Sequence, residues 1–164
     1  MAVARVHVRS WQVAYRGLLP DEYLKQLRPE ERAQRYDFTH SDPLKPQTIV
    51  AVDGAAILGF AMTMPSRDQD LAGYGELCAL YVDPKHWGLG IGAALISAAR
   101  GHLVETGFHK ALLWVLAGNV RAMRFYEIDG WVTNGDSRTD TVWGVTVNDI
   151  RYRRDLTGPT RQTS

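Results

Sequence analysis

A β-branched and aromatic run, Leu80-Tyr81-Val82, passes through Asp83-Pro84-Lys85-His86-Trp87 into Gly88-Leu89-Gly90-Ile91-Gly92, and an apolar stretch with helical spacing follows at once. This pattern constrains the chain more than any other. A strand that feeds a glycine turn and then a helix leaves the first helical N–H groups without intrahelical partners, aimed at whatever lies beyond the strand end. Glycines at 88, 90 and 92 let backbone approach a ligand without Cβ interference. The positive end of the helix dipole adds to the attraction for an anion, so the turn is a candidate phosphate cradle.

Spacing limits which phosphate ligand fits. A nucleoside triphosphate loop needs Gly-Lys-Ser or Gly-Lys-Thr after the turn, and Gly92 is followed by Ala93-Ala94-Leu95. Gly88, Gly90 and Ala93 satisfy a dinucleotide fingerprint formally. That fingerprint also wants an acidic residue at the end of the next strand, and the run Ala111 to Leu116 ends instead in Ala117-Gly118-Asn119. A dinucleotide site is therefore the lesser reading.

The chain has 164 residues, 45% of them hydrophobic, enough for one core without covalent staples. The expected layout is a single domain over 1–156 with a disordered tail over 157–164, rich in Thr, Arg, Gly and Pro. A formal charge of +1 gives no global pull toward nucleic acid or an anionic membrane. One cysteine, Cys78, excludes a disulfide framework, and the five histidines show no metal-ligand spacing, so no metal is expected. No cationic leader precedes an apolar core and no run reaches 18 apolar residues. The expectation is a cytoplasmic protein without a membrane span.

Hydrophobic periodicity predicts a helix over 3–16, short helices over 20–27 and 29–37 behind Pro20 and Pro29, and a hairpin of strands 48–52 and 57–64 turning at Asp53-Gly54. Strand 76–82, helix 92–105, strand 111–116 and helix 120–129 follow. The final strands lie within 131–155, around the loop-like Asn134-Gly135-Asp136, with Arg151, Arg153 and Arg154 expected on a solvated edge. Strands, then a strand-helix-strand-helix passage, then strands again describe an α/β fold, a mixed sheet flanked by helices.

Trp87, Gly90 and Gly92 occupy the places of Arg or Gln, glycine, and glycine or alanine in the signature of the GCN5-related N-acetyltransferases (GNAT). The run Asn119-Val120-Arg121-Ala122-Met123-Arg124-Phe125-Tyr126-Glu127, with Gly130-Trp131 behind it, resembles that family's second cofactor segment. Trp11 to Pro20 and the Glu76 strand resemble its bacterial members. Trp87 departs from the pattern, which shifts the phosphate grip onto backbone N–H groups. The family also opens with a strand ahead of its first helix, whereas this sequence begins within that helix. Either the start is truncated relative to the family or the sheet lacks its usual first strand; in the second case an exposed edge would be left for a loop or a second subunit to cover, as in a homodimer.

The resemblance implies acetyl-CoA as co-substrate and an amine of a small molecule or peptide as acceptor. It implies donor contacts at Leu80, Tyr81 and Val82, whose backbone would pair with the pantetheine arm. Further contacts are implied at Trp87, Gly88, Leu89, Gly90, Ile91, Gly92 and Ala93 in the turn, and at Asn119 and Tyr126. Tyr126 corresponds to the tyrosine that protonates the departing sulfur, a task suited to a phenol of ordinary pKa near ~10. Glu76 is the candidate general base, since strand alternation would put it on one face with Cys78, Leu80 and Val82. The glutamate of the branch that acetylates a ribosomal protein N-terminus is replaced here by Trp114, so that branch's acceptor does not transfer. A noncatalytic acyl-CoA sensor with the same fold is the alternative.

Overall fold

The computed structural model describes residues 1–39, 41–142 and 144–157; most of the tail expected to be disordered, 158–164, lies outside the described residues. The element order is α1 (Ala2–Ala14), α2 (Asp21–Gln26), α3 (Pro29–Ala33), β1 (Gln47–Asp53), β2 (Ala56–Pro65), β3 (Gly75–Val82), α4 (Ile91–Glu105), β4 (Lys110–Leu116), α5 (Val120–Ile128), β5 (Ser137–Val142) and β6 (Val145–Asp155). The strands form one six-stranded sheet in the order β1-β2-β3-β4-β6-β5. Every neighbouring pair is antiparallel except β3 and β4. On its outer side β1 has no partner strand among the described residues.

Two apolar layers hold the sheet. On one face α4 places Leu95, Ile96, Ala99 and Leu103 against Ala61, Leu77, Leu113 and Val115, and Phe125 and Tyr126 of α5 join them. On the other face α1 sets Val3 and Val6 against Phe60, with Ala79 and Tyr81 at the margin. Gly59 permits α4's close approach, since a Cβ there would lie 2.8 Å from the Tyr81 carbonyl oxygen and 3.0 Å from Leu95 Cδ1.

Three sequence expectations are corrected. The helix behind Pro29 ends at Ala33, because α3 buries no side chain and so has no packing to extend it. The loop 134–136 precedes both final strands, and β5 and β6 turn into each other near Gly144. The late arginines do not form a solvated edge. β6 is interior, and Arg151 is 7% exposed, with its guanidinium bonded to Asp68, Asp70 and Asp136. Those three carboxylates compensate a charge that would otherwise be prohibitive to bury.

His7 of α1 sits in the same layer as Phe60, 4% exposed, stacked at 4.6 Å on the Tyr81 ring and hydrogen-bonded to the Tyr36 hydroxyl. Burial, with help from the Arg32 charge, pushes its pKa from 6.5 down to about 2. The folded state therefore keeps a neutral imidazole while the unfolded chain takes up a proton below pH 6.5. Stability is complete above that value and declines as pH falls toward about 2. Between pH 7.5 and 5.5 this group alone should remove about 1.4 kcal/mol of unfolding free energy. Denaturant titrations at the two pH values should show a correspondingly smaller drop for His7→Gln than for the parent chain. Equal drops would mean that His7 titrates normally in the fold.

Candidate active site

The sheet comes apart at its centre. β3 and β4 pair only through Gly75 with Ala111 and Glu76 with Leu112, and beyond those two positions they diverge. The gap leaves backbone groups of both strands without ladder partners in the middle of a sheet, a costly arrangement unless something else satisfies them. A cavity of about 440 Å³ opens there, lined by Leu80, Tyr81 and Val82 on one side and Val115 and Leu116 on the other.

Its outer wall is the glycine turn. Gly88 and Gly90 have φ of +78° and +80°, the left-handed region where a Cβ is strained, and Gly90 is the N-cap of α4. The first intrahelical bond runs from the Ala94 N–H to the Gly90 carbonyl, so the amides of Ile91, Gly92 and Ala93 have no intrahelical partner. Gly92 is small for another reason: its Cα faces the Phe125 ring, which a Cβ would approach to 3.3 Å.

The implied donor residues are brought together, with one exception. Leu80, Tyr81, Val82, Trp87, Gly88, Gly90, Ile91, Gly92, Ala93, Asn119 and Tyr126 all line this cavity, whereas Leu89 does not and is 68% exposed. Asn119 caps α5 by accepting the Ala122 N–H at 3.3 Å, and so fixes the start of the helix that carries Tyr126. The Tyr126 hydroxyl has no hydrogen-bond partner among the described residues, and burial pushes its pKa well up, which keeps the proton on the phenol. Among the described residues no carboxylate lines this cavity, and His86 and Arg121 do.

Glu76 lies elsewhere. A bulge in the β2–β3 ladder pairs Thr63 with Leu77 and Met62 with Ala79, which skips Cys78 and reverses the alternation. Leu77, Leu80 and Val82 therefore share the α4 layer, and Glu76 is not on the face that simple alternation assigned to it. Nor does it face solvent. At 2% exposure it lines a second cavity of about 140 Å³, bounded by Trp11, Tyr15, Trp114, Arg138 and Asp149. Both its oxygens are engaged by Arg67, through Nη2 at 2.7 Å, the backbone N–H at 3.0 Å and Nε at 3.3 Å. Asp149, opposite Leu116 in the β4–β6 ladder, receives one long bond from Arg138 at 3.4 Å. Burial raises the Asp149 pKa above the usual aspartate value, partly offset by Arg138.

The two cavities share Tyr15, Leu77, Cys78, Tyr81, Trp114 and Leu116 as a common wall. The Trp114 indole donates to Asp68 at 3.1 Å, and the Arg138 and Arg151 guanidiniums lie 4.2 and 5.4 Å from its ring centroid. Cys78 sits in this wall, its thiol pushed up to about 12, chiefly by burial and then by the Glu76 charge. Sequence reasoning left Arg67, Asp149 and Arg121 out of the site. Only Arg121 had a legible signal, its place two residues after a helix-capping asparagine. Among the described residues no group of three or more His, Cys, Asp or Glu side chains could hold a metal ion, and no helix is long and apolar enough to cross a membrane.

Residues 9–131 match the model of the acetyltransferase (GNAT) family. The chain is 30% identical over 117 residues to the N-acetyltransferase YuaI of Bacillus subtilis, 71% of this chain and 66% of that one. It is 33% identical over 116 residues to the mycothiol acetyltransferase of Mycobacteroides abscessus, again 71% of this chain but 38% of that protein. Two other mycothiol acetyltransferases match over only 30% and 26% of their length, so the chain spans about a third of those relatives. In fold it is similar to the PaiA N-acetyltransferase of Thermoplasma acidophilum, a structure in complex with coenzyme A, with a TM-score of 0.68 and 20% identity over 94% of this chain and 91% of that one. The ribosomal-protein-S18-alanine N-acetyltransferase of Escherichia coli gives a TM-score of 0.63 at 17% identity, over 98% of this chain and 91% of that one. Family model, relatives and the split sheet with its glycine turn agree, and the chain belongs to the GNAT acetyltransferase family.

Proposed function

We propose that this chain is an acetyl-CoA-dependent N-acetyltransferase that passes the acetyl group to a primary amine of a small molecule or peptide, by direct attack within a ternary complex. The observation that carries the reading is the pair of cavities meeting at the split: one free of carboxylates and ending in unpartnered helix amides, the other holding Glu76 and Asp149. An anionic thioester donor suits the first and an ammonium suits the second. The free backbone groups of β3 would take up the pantetheine arm like an added strand and polarise the thioester carbonyl. The amine nitrogen attacks the carbonyl carbon, the carbon–sulfur bond breaks, and the sulfur takes its proton from Tyr126. The reading also carries a cytoplasmic location, and the outer edge of β1, which has no partner strand among the described residues, leaves room for a second copy of the chain.

The incoming ammonium must lose a proton first, and two carboxylates compete for that role. Glu76 would act through a water, since Arg67 occupies both of its oxygens. Asp149 is favoured by its single long hydrogen bond and its burial-raised pKa, which bring it closer to the basicity the step needs.

The deciding experiment is turnover of acetyl-CoA against polyamines, amino acids, aminoglycosides and peptide N-termini. Acetylated product with any of them supports the reading, while binding of intact acetyl-CoA with no turnover supports a sensor. Gly90→Asp should abolish acetyl-CoA binding in calorimetry, because it sets a carboxylate beside the pyrophosphate and strains a residue at φ +80°. Wild-type affinity in that variant would take the turn out of the site. Tyr126→Phe should bind acetyl-CoA normally and turn over about tenfold to a few thousandfold more slowly, the range of a general acid. A rate within twofold of the parent would leave the proton to water. For the base, pH–rate profiles of Asp149→Asn and Glu76→Gln should separate the candidates: the variant that loses the base shows a deficit largest at low pH that shrinks as alkaline buffer deprotonates the amine itself. A flat deficit in both from pH 6 to 10 removes both from proton transfer.

A further inference from the structure

The substitution of tryptophan at the head of the glycine turn has a structural counterpart on a different element. The Trp87 indole folds back onto the end of β3, its Nε1 donating to the Val82 carbonyl at 2.9 Å, so the ring is held as a fixed plate at the rim of the larger cavity. Above that plate, 3.5 Å from the ring centroid, lies the guanidinium of Arg121, in the first turn of α5. Arg121 lines the same cavity, and among the described residues it makes no hydrogen bond or ion pair. His86 Nδ1, on the same rim, is buried and also has no hydrogen-bond partner among the described residues.

We propose that Arg121, seated on Trp87, is the cation that grips the pyrophosphate of the acetyl-CoA donor, in place of a basic side chain at position 87. The inference rests on the donor reading above. Stacking uses only the face of a guanidinium, and its five N–H donors lie in the plane, free to meet phosphate oxygens edge-on and in pairs. The indole attracts the cation electrostatically and holds it to one orientation, which reduces the side-chain entropy lost when the phosphate arrives. Trp87 is thereby a positioning residue for Arg121. The amides of Ile91, Gly92 and Ala93 approach the same anion from the α4 side, and charge and dipoles converge from two helices.

The test is calorimetric titration of the full chain and its variants with three donors: acetyl-CoA, 3′-dephospho-acetyl-CoA and S-acetyl-pantetheine, which lacks every phosphate. Arg121→Ala should weaken acetyl-CoA and its dephospho form about equally, by about tenfold to a hundredfold, as expected for loss of a charged hydrogen-bonding pair. It should leave S-acetyl-pantetheine within twofold. Trp87→Leu should follow the same pattern with a smaller loss, and should add little when combined with Arg121→Ala. A loss confined to acetyl-CoA would move Arg121 to the 3′-phosphate and overturn the assignment. Equal loss for all three donors would make it a structural residue, and no loss for any would remove it from the site. If the parent chain itself binds no acetyl-CoA, it is the donor reading that fails.

Discussion

Two residue pairs decide this molecule. After Gly75–Ala111 and Glu76–Leu112, strands β3 and β4 part, and a sheet that is continuous elsewhere gives up its hydrogen bonds at the centre. Unpaired backbone within a sheet is tolerated only where the surrounding packing enforces it. Here α4 and α5 brace one face through Leu95, Ile96, Phe125 and Tyr126, and α1 braces the other through Val3 and Val6. The ladder with β2 runs the length of β3, and the ladder with β6 runs the length of β4. Each half of the sheet is thus held by its own ladder and helices, and the seam between them is open.

The placement of charge follows from that division. Among the described residues the α4 side offers helix amides, Arg121 and no carboxylate, and the α1 side offers Glu76 and Asp149. The Arg151 cluster with Asp68, Asp70 and Asp136 ties the loop after β2 to the far half of the sheet. That loop also carries Arg67, the partner of Glu76, so the second cavity is fixed in part by a network that spans the split. The arginines that read in the sequence as a solvated edge are instead one of its main fasteners.

How much was legible depended on whether a feature was local. The glycine turn, the Asn119 cap, the helix boundaries near 91–105 and 120–128 and the central strands all follow from short-range rules of backbone and periodicity, and the structure keeps them within a residue or two. Glu76 was placed on the wrong face because one bulged residue, Cys78, resets a two-residue alternation, and nothing in a run of eight residues announces a bulge. Asp149 and Arg67 reach the site only through register and loop path, which connect residues far apart in sequence. Trp87 was legible as a departure, but its contact with Arg121 joins two elements 34 positions apart.

Cys78 gives the bulge a chemical consequence. On the proposed function, a thiol in the wall shared by both cavities would lie beside the donor thioester, and thiol–thioester exchange costs almost nothing in free energy. An ionised cysteine at that point would divert the acyl group onto the protein itself. Burial, with the Glu76 charge beside it, holds the pKa at about 12, so the sulfur remains protonated and is a poor nucleophile. The same carboxylate that borders the second cavity thereby helps to keep that thiol un-ionised.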